Sequence, residues 1–172
     1  MMGIMDEAPD DPIAALGEQW RAALPDLDTA PMLLIARLNR TRAVVMARIE
    51  TMLVEAGSSL ADFDVLSTLR RQAPPHRMKP SAIAEAVMLS ASGMTNRIDH
   101  LVDAGLVERV PDPTNRRVLP VQLTERGLAE AEWLVRLLVT DEANIVAGLD
   151  TAERSRLAST LAELERSARA AS

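Results

Sequence analysis

Apolar residues recur at helical spacing over most of the chain, with short polar breaks, and only one segment changes to a two-residue period. Ile13, Leu16, Trp20 and Leu24 follow Asp11, a candidate N-cap, and Pro12, suited to a first helical position, until Pro25 ends the run. Pro31 opens a long helix with Leu34, Leu38, Val45, Ile49 and Met52 on one stripe and Gly57 just beyond its end. In "SLADFDVLSTLRRQA", Ser59 and Asp62 have capping-box spacing, while Phe63, Leu66 and Leu69 face inward. "PPHR" ends that helix, and "PSAIAEAVM" and "ASGMTNRIDHLVDAG" read as two short helices, the second capped by Ser90 and closed at Gly105. Two short helices across a tight turn predict a helix-turn-helix.

After Gly105, "LVERV" and "VLPVQL" read as strands joined by "PDPTNRR", whose Asp and Pro residues form turns. Helix resumes from a Thr124 cap to about Leu149, with Leu128, Trp133 or Leu134, Leu137 and Leu138 apolar. A last helix, capped by Asp150 with Glu153 reaching back, carries Leu157, Leu161 and Leu164. The predicted fold is mainly α, six or seven helices with a two- to three-stranded wing hairpin, and no internal repeat interrupts it. Residues 1–10 are acidic, rich in Met and unpatterned, as in a mobile tail.

Composition adds constraints. The 172 residues suit one domain with a real core, and with only Trp20, Trp133 and Phe63 aromatic that core must be aliphatic. The absence of cysteine excludes disulfides, thiolate metal sites and thiol redox switching. The start of the chain lacks a signal peptide's cationic start and apolar core, and no apolar run approaches a membrane span, so a soluble, cytoplasmic protein with no membrane partner is expected. His76 and His100 are the only histidines, and neither a Gly-rich phosphate loop nor a nucleophile with its base is evident. An enzyme, a metal site and a bound cofactor are therefore not expected.

The net charge of -6 is unevenly placed. Residues 77–126 hold seven Lys/Arg against six Asp/Glu, whereas the remainder holds 12 against 19. The middle segment is thus about +1 while the acidity lies outside it, which permits a nucleic-acid face without demonstrating one.

A helix that reads the major groove needs one apolar face to hold it and one face of short polar side chains to meet base edges. In residues 91–104, Met94, Ile98, Leu101 and Val102 form the apolar stripe, opposite Ser92, Thr95, Asn96, Asp99, His100 and Asp103. Asn96 can pair with adenine, and Thr95 can touch a thymine methyl or a phosphate. The same pattern also fits a merely solvated helix. Arg116 and Arg117, at the hairpin tip, can reach an adjacent minor groove, or one of them can pair with Asp112 and stiffen the turn. Lys79 and Ser81, at the start of the preceding helix, complete the expected DNA-facing set.

The segment "LSASGMTNRIDHLVDAGLVERVPDPTNRRVLPVQLTERG" resembles the winged helix-turn-helix of the MarR family of bacterial regulators, in its Leu-Ser start, its "GLVER", its "DP…RR" wing and its "LTERG" exit. The resemblance extends from about residue 31 to the end. It implies insertion of Arg117 into the minor groove, although Asn115 stands where the family usually has an acid and Asn96 where it usually has a basic residue. It also implies a homodimer, obligate in appearance, with interleaved N- and C-terminal helices. The expected division is an acidic tail and extra helix over 1–30, dimerisation helices over 31–57 and 124–172, and a DNA-binding domain over 58–123. The apolar stripes of the long helices independently exceed what the small winged domain can cover, unless they close into an intramolecular bundle.

Arg97 lies at the edge of the apolar stripe of its helix and needs a partner. Trp20, Asp64, Arg97 and Arg109 together resemble the ligand residues of the urate-responsive subgroup of the family, which adds an N-terminal helix. That likeness implies a repressor released from a pseudo-palindromic operator by a small planar anion, urate or another purine or aromatic acid. Structural ion pairing of Asp64, Arg97 and Arg109 is the plainer explanation of the same residues. A winged-helix module for protein contacts, or a MarR-type regulator without a ligand, are the alternatives in function.

Overall fold

In the computed structural model, residues 11–88, 90–111 and 119–171 are described. They contain seven helices and a three-stranded antiparallel sheet. The chain divides into two compact units, one up to Arg48 and the other from Ile49 onward.

In the first unit, α1 (Pro12–Ala23) starts where Asp11 accepts a hydrogen bond from the Ile13 N–H at 3.1 Å, with Pro12 in its first turn. The Arg37 guanidinium of α2 (Ala30–Glu55) donates to the same carboxylate, and this bond holds Asp11 below the usual carboxylate range. Gly17 is buried against Leu33, whose Cδ1 would stand 2.9 Å from an added Cβ. The extra helix is thus fixed to α2 by an ion pair at its start and a close approach one turn later. Leu34, Ile35 and Leu38 of α2 are exposed.

The second unit is built around α3 (Leu60–Arg70), whose Val65, Leu66 and Leu69 are fully buried. The helix-turn-helix is α4 (Pro80–Ala86) and α5 (Ala91–Asp103), started by Pro80 and by a Ser90 side chain that accepts from the Gly93 N–H. Ile83, Met94, Ile98 and Leu101 press the pair onto α3. The α5 helix stops at Gly105, where φ is 68° and the Leu106 N–H reaches back to the Leu101 carbonyl, a left-handed ending that glycine adopts without steric cost.

The sheet has the order β1-β3-β2. Strands β2 (Val107–Arg109) and β3 (Val121–Leu123) pair Val107 with Leu123 and Arg109 with Val121, which buries Val107, Val121 and Leu123 on one face. The third strand, β1 (Arg77–Met78), was not among the expected strands and pairs with the far edge of β3. Among the described residues of the "VLPVQL" reading, the strand begins at Val121, after Pro120, which has no N–H for a ladder. Its carbonyl still accepts from Val110.

Helix α6 (Glu125–Ile145) starts at Thr124 and lies on α3, with Ala131 and Leu134 fully buried. Of the two candidates for the inner position, Leu134 is inside and Trp133 is exposed. The helix ends four residues before the expected Leu149. Helix α7 (Thr151–Ala170) has the complete capping box between Asp150 and Glu153, yet none of its residues is buried, and Leu157 and Leu161 stand exposed. No described helix is long and apolar enough to cross a membrane.

Candidate nucleic-acid interface

The α5 helix separates its faces as the sequence requires. Met94, Ile98 and Leu101 are buried to 1% exposure or less, Val102 is half-buried, and Ser92, Thr95, Asn96, Asp99 and His100 are exposed. Ser92 lies beside the cap, its Oγ 3.3 Å from Ser90 Oγ. Lys79 and Ser81 are also exposed, Lys79 at the N-cap position of α4 without a capping bond of its own. A short helix with its apolar side on α3 and α4 and its polar side outward can enter a groove without losing core contacts. Arg116 and Arg117, with Asp112 and Asn115, lie outside the described residues.

The expected ligand residues are differently placed. Arg97, half-buried, donates from Nη1 to Asp62 Oδ1 at 2.9 Å, and Ser59 Oγ is 3.4 Å from the same nitrogen. Asp62 is buried at 7% exposure, and its Oδ2 accepts from the Ser59 hydroxyl at 2.6 Å with His100 Nε2 at 3.8 Å. Ser59 does cap α3, accepting from the Asp62 N–H at 3.1 Å. The Asp62 carboxylate, however, turns to Arg97 and the Ser59 hydroxyl, so the expected capping box is formed in one direction. Asp64 is half-buried, and desolvation raises its carboxyl above the usual range against a smaller opposing pull from Arg71. Arg109 pairs with Asp99 of α5 at 2.6 Å. Trp20, in the first unit, is half-buried on α1.

Asp62, Ser59 and Asp99 were therefore missed as members of this constellation. Asp62 had a readable signal, because it shares the stripe of Val65, Leu66 and Leu69, and an acid on a buried stripe requires a partner. A separate open groove of about 310 Å³ is lined by Arg70, Glu132, Val135 and Arg136, none of them in the expected ligand set. There Arg70 forks onto Glu132, with Nε and Nη2 at 2.9 and 2.8 Å from Oε1. Among the described residues no group of three or more His, Asp or Glu is arranged to hold a metal ion.

A helix-turn-helix followed by an antiparallel hairpin and flanked by long helices defines a winged-helix protein. A sequence model of the MarR family matches residues 59–119. The HTH-type transcriptional regulator PecS of Dickeya dadantii (strain 3937) is 33% identical over 154 residues, covering 90% of this chain and 93% of PecS. Among solved structures, AbsC, a MarR family transcriptional regulator from Streptomyces coelicolor, matches with a TM-score of 0.68 and 24% identity over 84% of this chain and 97% of its own. BpsR of Bordetella bronchiseptica matches with a TM-score of 0.64 and 24% identity over 76% of this chain and 91% of its own. The chain belongs to the MarR family of transcriptional regulators, which are DNA-binding proteins without enzymatic activity.

Proposed function

We propose that the protein is a ligand-released repressor acting as a homodimer on a pseudo-palindromic operator. The exposed polar face of α5 over its buried apolar stripe carries this reading. Ser92, Thr95, Asn96 and His100 meet the major groove, Lys79 and Ser81 meet the backbone, and Arg117 enters the adjacent minor groove with Arg116 on a phosphate. The 58–123 segment is the DNA-binding domain, and 31–57 with 124–172 form the dimer. Exposed Leu34, Leu38, Leu157 and Leu161 supply apolar surface for that interface. Two such subunits set their reading helices roughly one DNA turn, about 34 Å, apart.

The ligand is a small planar anion such as urate or an aromatic acid that pairs with an arginine, Arg97 or Arg109, and is repelled by or displaces Asp64, with Trp20 the fourth residue of the ligand set. Two ion pairs support this. Arg97 joins α5 to α3 and Arg109 joins β2 to α5, so an anion that recruits either arginine alters how the reading elements are held. BpsR, whose DNA binding is regulated by 6-hydroxynicotinic acid, offers a parallel in a protein of similar fold. The release is expected to loosen DNA by about 5- to 150-fold, the usual span of such couplings.

The test titrates the protein against its own promoter DNA at several salt concentrations, with and without urate. Binding that weakens steeply with salt and is further loosened by urate supports the reading. Absence of a saturable DNA site favours the protein-contact module. Salt-sensitive binding untouched by urate, 6-hydroxynicotinate and similar anions favours a regulator without this ligand class. Arg117→Ala is expected to weaken DNA binding in a dimer that stays folded, and full affinity would remove Arg117 from the wing contact.

A further inference from the structure

We infer that Asp62 is a positioning residue for base reading, fixing the roll of α5 through Arg97. The inference rests on α5 being the recognition helix. Both carboxylate oxygens of Asp62 are committed, Oδ1 to Arg97 and Oδ2 to the Ser59 hydroxyl, and Ser59 is itself fixed as the cap of α3. Asp62 therefore cannot swing freely, and the guanidinium it holds is attached to α5 from 35 residues away. His100 faces the same Oδ2 from one turn further along α5.

Apart from the Asp99–Arg109 pair to β2, whose two side chains are 52% and 33% exposed, the buried side of α5 is formed by Met94, Ile98 and Leu101, and apolar burial is non-directional. Small rolls of the helix change such burial little. A charge-assisted hydrogen bond to a fixed carboxylate is directional and resists them. Asn96 adjoins Arg97 in sequence, about 100° around the helix, so the roll that Asp62 sets is also the direction in which Asn96 points. Base contacts need placement within about 10–20°, whereas an ammonium or guanidinium against a phosphate tolerates more. Removing the Asp62 charge should therefore harm sequence discrimination before it harms attraction to DNA as such.

The experiment selects a duplex from a random DNA pool with the unaltered full chain. It then measures affinity for that duplex and for a scrambled one of equal length and composition at several salt concentrations, comparing the two at each. Active protein is counted by stoichiometric titration. For Asp62→Asn, which keeps the shape and loses the charge, the ratio of selected to scrambled affinity is expected to fall about tenfold, the value of one charge-assisted bond. Scrambled affinity and the salt slope should stay unchanged. Asp62→Asn/Arg97→Met should lose no more than the single variants. Asp62→Ala should lower the ratio at least as far as Asp62→Asn does; should it fail to fold, Asp62→Asn decides the matter alone. An unchanged ratio, or an equal fall for both duplexes, overturns the inference while leaving DNA binding intact. Failure of the unaltered protein to prefer any duplex overturns the recognition-helix reading, and this inference with it.

Discussion

The Arg109 guanidinium of β2 lies 2.6 Å from the Asp99 carboxylate of α5, so the first wing strand and the helix before it are joined by charge as well as by chain. The two side chains remain 33% and 52% exposed, and ion pairs so exposed stabilise a fold by less than about 1 kcal/mol. Arg109→Ala is therefore expected to leave the thermal midpoint nearly unchanged. Its expected effect is on release, because Arg109 is proposed to pair with the anion. Titrating the variant–DNA complex with urate checks this, and release identical to that of the unaltered protein would take Arg109 out of the ligand site.

Gly127 brings α6 against the turn into the wing with no room for a side chain. A Cβ there would stand 1.7 Å from the Leu106 carbonyl oxygen and 2.7 Å from its carbon, so the backbone itself blocks any side chain. The Gly127 N–H is also bonded to Thr124 Oγ1, which in turn donates to the Gly105 carbonyl. Relieving the clash means separating α6 from this turn, and Gly127→Ala should cost about 3 kcal/mol or more, the upper range of overpacking. Gly148→Ala is the control, having nothing within 4 Å of its added carbon. Urea denaturation of the two variants separates a packing effect from a general intolerance of alanine.

The features legible in the sequence are those whose physics is local. Asp11, Ser59, Ser90, Thr124 and Asp150 each cap a helix because an N-cap bond spans two or three residues, and all five positions could be read from spacing. The stripe of α5 was equally legible. Strand β1 was not, since two residues form a strand only when β3 is beside them. Nor was the partner of Arg97. The arginine was visible as a group needing an acid, but Asp62 already had a local explanation as a capping residue, and only the packing of α5 on α3 gives it another. The end of α6 was overestimated because residues 146–149 lack a proline and have no glycine before Gly148.

Met88 occupies the turn between α4 and α5 at φ 55° and is 93% exposed. A side chain gains nothing there from burial, while the left-handed conformation costs a non-glycine residue roughly 1–2 kcal/mol. Glycine removes that cost but loses about 0.4–1 kcal/mol through its freer unfolded chain. Met88→Gly should therefore stabilise the fold by up to about 1.5 kcal/mol. Thermal unfolding of the variant checks the sign, and destabilisation would mean that Met88 makes a contact in solution, as it would if a second chain covered it.

Asp64 has its carboxyl pKa raised because burial disfavours its charged form more than Arg71 favours it. As pH rises through the ordinary carboxylate range, the unfolded chain gives up this proton first and the folded chain later. The unfolded state then binds fewer protons, so the contribution of Asp64 to stability is greatest below the ordinary carboxylate value. It falls as pH rises and is fully lost once the folded carboxyl has ionised. Asp64→Asn keeps a neutral group at all pH values and avoids that loss. The variant should exceed the unaltered protein in stability at neutral pH, and the difference should close as pH falls below the ordinary carboxylate range. Urea denaturation at a series of pH values measures both arms. A variant less stable at neutral pH would show that a cation compensates Asp64 in solution, and that its charge supports the fold.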